Sequence, residues 1–257
     1  MNHTKITYLA AALTTLSANA FAQGYTMQAV PVAPANESAP MAVAAPGASD
    51  HSAVVGHMGV GYMGAKDVPL AGAPSTTTAG PSSKLTAPVI GVRYWFNEKM
   101  GVDLGLGLAL SGGSSTTTVG NVATTIDSPG AFAVLLHAGV PYVLASKKHY
   151  NFQIVPELNF GYASQTIADK ADSAKDIKLT GMRFDVGARA GTELHFGFMG
   201  VPQLALQGSV GLFLRYDHTG ASTKDFAANN SSTRLETSVG DKPWDIFTGN
   251  VSALYYF

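Results

Sequence analysis

Residues 245–257 decide the fold: Asp245-Ile246-Phe247-Thr248-Gly249-Asn250-Val251-Ser252-Ala253-Leu254-Tyr255-Tyr256-Phe257. With a period of two, Phe247, Gly249, Val251, Ala253, Tyr255 and Phe257 share one mostly apolar face. Thr248, Asn250, Ser252, Leu254 and Tyr256 share the other, mostly polar face. A strand of this kind sets an apolar exterior against a polar interior, the alternation of a lipid-embedded sheet.

The same alternation recurs upstream. Leu104, Leu106, Leu108 and Leu110 alternate with Asp103, Gly105, Gly107 and Ala109; Phe152, Ile154, Leu158, Phe160 and Tyr162 alternate with Gln153, Glu157, Asn159 and Gly161. Eight segments are predicted as strands: 54–64, 86–97, 100–111, 130–145, 149–165, 178–198, 202–218 and 244–257. Their connections alternate between turns of about three residues (around Glu98, Lys147 and Gly200) and the long segments 65–85, 112–129, 166–177 and 219–243. Short turns at one end and long loops at the other predict an all-β fold. It is an eight-stranded antiparallel up-and-down transmembrane β-barrel with short periplasmic turns and long extracellular loops.

Composition agrees. Only 13% of the 257 residues are charged, against about 25% in soluble domains, and 28 are glycine. Beyond the leader no run of ~20 apolar residues could form a spanning helix. The net charge of −1 leaves no basic footprint for nucleic acid, and the absence of cysteine excludes disulfides and thiolate metal sites. At the N-terminus Lys5 precedes the apolar run Ile6 to Leu16 and the A-x-A site Ala20-Phe21-Ala22. Residues 1–22 are therefore expected to be a signal peptide. Losing Lys5 leaves 15 basic against 17 acidic residues, a net charge of −2. The Pro/Ala-rich residues 23–53 read as a disordered periplasmic segment, and 54–257 as the barrel.

The inward positions carry the chemistry. Arg93, Asp103, His137, Glu157, Arg183, Asp185, Arg189, Glu193, His195, Arg215 and Asp217 all face the predicted lumen. Turns centred on Glu98, Lys147 and Gly200 set Arg93 opposite Asp103, His137 opposite Glu157, Asp185 opposite Arg215 and Arg183 opposite Asp217. Buried charge at low dielectric must be paired, so a lumen ion-pair network filling the bore is expected. An Arg or Lys on the lipid face at mid-depth would cost ~2–4 kcal/mol, and no predicted outward position carries one. Pro141 and Pro156 fall inside strands and lack a ladder donor, so a bulge or break is expected at each.

Other motifs have plainer readings. Gly59-Val60-Gly61-Tyr62-Met63-Gly64 matches the dinucleotide pattern but is followed by no helix and no acidic ribose ligand. Small lumen residues explain it. His57, His137, His149, His195 and His218 show no metal spacing. His137 beside Glu157, with Ser209 near, could serve a hydrolase, but ion-pair filling explains the same residues. The uncharged runs Pro74-Ser75-Thr76-Thr77-Thr78 and Ser114-Ser115-Thr116-Thr117-Thr118 suit solvated loops or a contact with another cell.

The leader ending Ala20-Phe21-Ala22, the eight alternating segments and terminal Phe257 resemble the small outer-membrane barrels of OmpA/OmpX type. The resemblance covers 54–257. It implies a bacterial outer-membrane location, an assembly signal at Tyr255 and Phe257, and a monomer. Its implied partners are outer-membrane lipid, lipopolysaccharide, the barrel assembly machinery and an extracellular partner of the loops. No cofactor and no enzymatic activity are expected. With nothing after Phe257, the peptidoglycan-binding domain of OmpA-type proteins is not expected. Two readings of the task follow: a non-enzymatic protein for envelope integrity or surface recognition and adhesion, or a narrow porin or apolar-solute channel. A soluble lipocalin-like barrel is the structural rival, and would be apolar inside.

Overall fold

The computed structural model describes residues 49–71, 84–120, 122–167, 176–239 and 249–257. The expected leader and nearly all of the Pro/Ala segment lie outside these, as do the Pro74–Thr78 run and positions 244–248 of the last predicted strand. A short helix, α1 (Asp50–Val54), opens the described chain. Ten strands follow: β1 (Met58–Pro69), β2 (Lys84–Trp95), β3 (Gly101–Val119), β4 (Val122–Gly139), β5 (Tyr142–Ser146), β6 (Tyr150–Ile167), β7 (Ile177–Phe196), β8 (Val201–Ser222), β9 (Ala227–Thr237) and β10 (Val251–Tyr256).

Strand pairing closes on itself. The path β10-β1-β2-β3-β4-β6-β7-β8 returns from β8 to β10, so eight antiparallel strands form a ring. Closure leaves the ring no edge to meet lipid, which is what a bilayer demands of a sheet. The exterior is apolar: Leu104, Leu106, Leu108 and Leu110 on β3 are exposed, as are Leu158 and Phe160 on β6 and Leu212 and Leu214 on β8. On the opposite faces of these strands Asp103, Glu157, Asn159 and Asp217 are buried. This is the architecture of a transmembrane β-barrel.

Several boundaries differ from expectation. β1 starts at Met58 rather than at 54, because Ser49 caps a helical turn through a 3.2 Å bond from the Ser52 amide. The predicted loop 112–129 is largely strand, continuing β3 and β4 as a two-stranded ribbon past a register shift at Ser111/Gly113. Likewise 219–243 contains β9, which pairs with β8 from Leu212↔Thr237 to Ser222↔Ala227. Ser and Thr suit a pleated ribbon when a neighbouring strand supplies the ladder.

Both prolines sit at one break. The predicted 130–145 strand is interrupted between β4 and β5, where Val140 donates to the Pro156 carbonyl at 2.9 Å. Pro156 therefore turns its donor-less nitrogen toward the same neighbour, while its pairing with Ala188 on β7 runs unbroken. The register is unchanged across the break, from Gly139↔Glu157 to Tyr142↔Ile154; it is set instead by a turn at Lys148-His149, closed by the Lys147 amide on the Tyr150 carbonyl at 2.8 Å, and by a bulge between Val143 and Ala145. His137 lies opposite Asn159, not Glu157, which instead faces Gly139. A shift of two residues keeps sidedness and loses the expected pair.

The G-x-G-x-x-G run has a structural purpose. At Gly59 an added Cβ would lie 2.8 Å from the Tyr256 ring, and at Gly61 it would run into the Ala253 carbonyl oxygen. These glycines let β1 and β10 approach along a seam that, among the described residues, runs from Gly59↔Tyr256 to Tyr62↔Ala253. Gly64, at φ +93°, then marks a bulge between Tyr62 and Ala65. Beyond it β1 and β2 lean across the bore. β2 leaves β3 at Val89, just after Pro88, and Val68 comes so close to Gly161 that a Cβ there would lie 2.7 Å from Val68 Cγ2. Val68, Leu85, Ala87 and Val89 pack with Ala133, Leu135 and Ala163 in one buried cluster. The expected ion-pair network therefore does not fill the bore alone: part of it is an apolar core built around this inward-leaning hairpin.

Candidate functional site

Two charge clusters line the remaining interior, the second reaching out to the exposed strand β9, and each is neutral in sum. In the first, Arg93 grips Asp103 with two bonds of 2.6 and 2.7 Å and reaches Glu193 at 2.9 Å. Arg189 continues the chain to Asp103 at 3.2 Å and to Glu157 at 2.8 Å. Lys66, carried inward by the leaning hairpin, ends it on Glu157 at 3.2 Å. Three cations face three carboxylates. His137 joins through Asn159, at 2.8 Å, whose amide donates to Glu157 at 3.2 Å.

The second cluster spans β7, β8 and β9. Arg183 forks onto Asp217 at 2.7 and 3.0 Å, and Arg215 binds Asp185 at 2.9 Å and Glu236 at 2.5 Å. Arg234 links Asp217, at 2.7 Å, to Glu236. Again three cations meet three carboxylates. Planar forks of this kind hold two acceptors at once, which a lysine cannot reproduce. Arg183 also donates to the Asp67 carbonyl at 2.6 Å, fastening the leaning hairpin to β7. The leaning hairpin and these two clusters occupy much of the bore; an eight-stranded ring has little more to fill.

Sequence reasoning missed four members. Lys66, Arg234 and Glu236 lie in segments whose composition reads as loop, and the bulge at Gly64 moves inward positions from odd to even numbers. Tyr256 faces inward by periodicity, but no partner for it follows from the sequence. It donates to Glu193 at 2.8 Å and accepts from the Trp95 indole at 3.1 Å. The expected assembly residues Tyr255 and Phe257 point outward and are exposed.

The short-turn end carries a feature that no sequence signal announced. Helix α1 lies across it like a stopper. The Asp50 amide donates to the Lys148 carbonyl at 2.8 Å, and its carboxylate meets His149 at 2.7 Å and the Gly197 amide at 3.1 Å. His51 enters the bore, its ring perpendicular to that of Trp95 with centroids 4.5 Å apart. Its Nε2 contacts the Glu98 carbonyl at 3.0 Å and its Nδ1 the Asn151 side-chain amide at 3.1 Å. Burial pushes the His51 ring below its ordinary value, an effect Glu193 opposes and His195 reinforces. The signal that could have found α1 is the Ser49-Asp50 cap beside a histidine.

Among the described residues no group of three metal-ligating side chains occurs. Ser209 bonds the Asn250 carbonyl at 3.3 Å rather than a base. No protein-family model matches the chain, and no curated protein matches it. Two solved structures are similar over 78% of the chain. Ail, the attachment invasion locus protein of Yersinia pestis, is 11% identical, is covered over 97% of its length and gives a TM-score of 0.35. A major outer membrane protein from Thermus thermophilus is 16% identical, is covered over 98% and gives a TM-score of 0.36.

Proposed function

We propose that the protein is a bacterial outer-membrane barrel without enzymatic activity, which holds a rigid cylinder in lipid and displays extended loops for envelope integrity or surface recognition. The observation that carries this reading is the pairing of an apolar skin with a bore filled by side chains. Exposed leucines and aromatics on a closed ring need lipid, whereas a soluble barrel would invert them. Loops on a rigid frame suit contact with a partner, and the β3–β4 and β8–β9 ribbons are the extended surfaces available. Outer-membrane lipid and lipopolysaccharide around the wall, assembly by the barrel machinery with Tyr255 and Phe257 as its signal, and a monomeric state belong to the same reading.

The filled bore weighs against a narrow channel. Current through the refolded protein in a planar bilayer tests this: no steady conductance is expected. A steady conductance altered by Arg215→Ala would replace this reading with the channel. Shortening the 112–129 ribbon to a two-residue turn should leave the boiling-dependent gel shift intact and abolish attachment to the partner surface. Attachment unchanged by that deletion would remove the ribbon from the function.

A further inference from the structure

We infer that helix α1 is an acid-released stopper of the barrel's short-turn mouth, with His51 as its trigger and Asp50–His149 as its clamp. The contacts fit a neutral His51: its Nδ1 accepts from the Asn151 amide and its Nε2 donates to the Glu98 carbonyl, so both nitrogens are committed with a single proton. A second proton places a charge in a pocket where His51 is 1% exposed and obliges the Asn151 amide to turn its partnerless Oδ1 toward Nδ1.

The charged and titratable groups around the ring come from every packed element. Arg93 lies on β2 and Glu98 in the turn after it, His149 before β6, Glu193 and His195 on β7, Tyr256 on β10, and Asp50 on α1 itself. Glu193 favours the added proton, but it is already shared by Arg93 at 2.9 Å and Tyr256 at 2.8 Å. His195, with ring centroids 5.9 Å apart, opposes it. Docking lowers the affinity of His51 for a proton, so the released helix binds more protons than the docked one. Docking is therefore complete above the ordinary histidine value near 6.5 and is lost as pH falls below it. Outside the mouth the Asp50–His149 contact resists release. Gly56, at φ +80° with no atom within 4 Å of an added Cβ, is the natural pivot between α1 and β1.

The native chain has no cysteine, so Ala53→Cys carries one spin label on the half-buried side of α1 in the refolded full-length mature protein. The expected spectrum is immobile at about pH 8 and mobile by about pH 5, either side of the ordinary histidine value, while the boiling-dependent gel shift shows the cylinder still folded. His51→Gln, which can donate and accept without titrating, should keep the label immobile at the acidic end. His149→Ala should move the transition to higher pH. Asn151→Asp, which sets a carboxylate against Nδ1, should move it lower and serves if the Gln variant fails to dock at the alkaline end. A label that stays immobile in acid in the unmodified helix, or the same transition in His51→Gln, overturns the inference. So would unfolding of the cylinder over that pH range.

Discussion

The Tyr256 hydroxyl donates to Glu193 across 2.8 Å and accepts from Trp95, so the last strand is locked to β7 and β2 inside the bore. Among the described residues, main-chain pairing of β10 with β1 covers four residue pairs, extended by the Phe257 amide on the Met58 carbonyl at 3.1 Å. The side-chain lock adds to ring closure at this short seam. Tyr256→Phe should destabilise the folded form by about 1–3 kcal/mol, since it strands a buried carboxylate oxygen and an indole donor. Tyr255→Phe, on the exposed face, should change stability by less than about 0.5 kcal/mol. Urea unfolding in detergent, read by tryptophan fluorescence, measures both.

The glycine seam makes a sharper demand. Gly61→Ala places a methyl against the Ala253 carbonyl, where backbone must move. The variant should lose most of its boiling-sensitive, fast-migrating form on gels. Gly208→Ala, with nothing within 4 Å of the new Cβ, should migrate like the native protein. Equal behaviour of the two would remove the seam from the account.

Burial ranks the arginines. Arg93 is wholly buried between Asp103 and Glu193, whereas the Arg215 side chain keeps 17% exposure. Arg93→Ala should cost about 3–5 kcal/mol by leaving the buried Glu193 without its arginine and Asp103 with Arg189 alone, and Arg215→Ala clearly less. Unfolding midpoints of the two variants at one pH decide the order.

The turn at Lys148-His149 and the bulge between Val143 and Ala145 fix which residues of β4 and β6 meet. Leu136 lies opposite Phe160, two positions from the partner that an unbroken hairpin centred on Lys147 would give, Leu158. In this cysteine-free chain, Leu136→Cys with Phe160→Cys should cross-link on mild oxidation. The pair Leu136→Cys with Leu158→Cys should not, because neighbours two residues off register lie ~7–8 Å apart.

Architecture is legible in the sequence because it rests on a period of two. Once Leu104 to Leu110 and Val251 to Phe257 are read as two-faced, the eight wall segments and their short and long connections follow. Partnership is less legible. Arg93 opposite Asp103 and Arg183 opposite Asp217 follow from compact turns that keep local register. His137 opposite Glu157 fails because the turn sits at Lys148-His149 rather than on Lys147, and a bulge follows between Val143 and Ala145. Lys66, Arg234 and Glu236 are invisible for another reason. A bulge at Gly64 changes the phase of β1, and Ser/Thr/Asn composition reads as loop where a neighbouring strand makes it sheet. The stopper helix lies at the edge of a Pro/Ala segment, and only five residues carry it. That is too few for helical periodicity to register.

Sidedness is the claim beneath all of these, and a spin-label scan of positions 104–110 on β3 in lipid tests it most directly. Labels at Leu104, Leu106, Leu108 and Leu110 should collide readily with oxygen dissolved in the bilayer, and those at Gly105, Gly107 and Ala109 should not. An inverted alternation, or none, would contradict an apolar skin around a charge-filled bore.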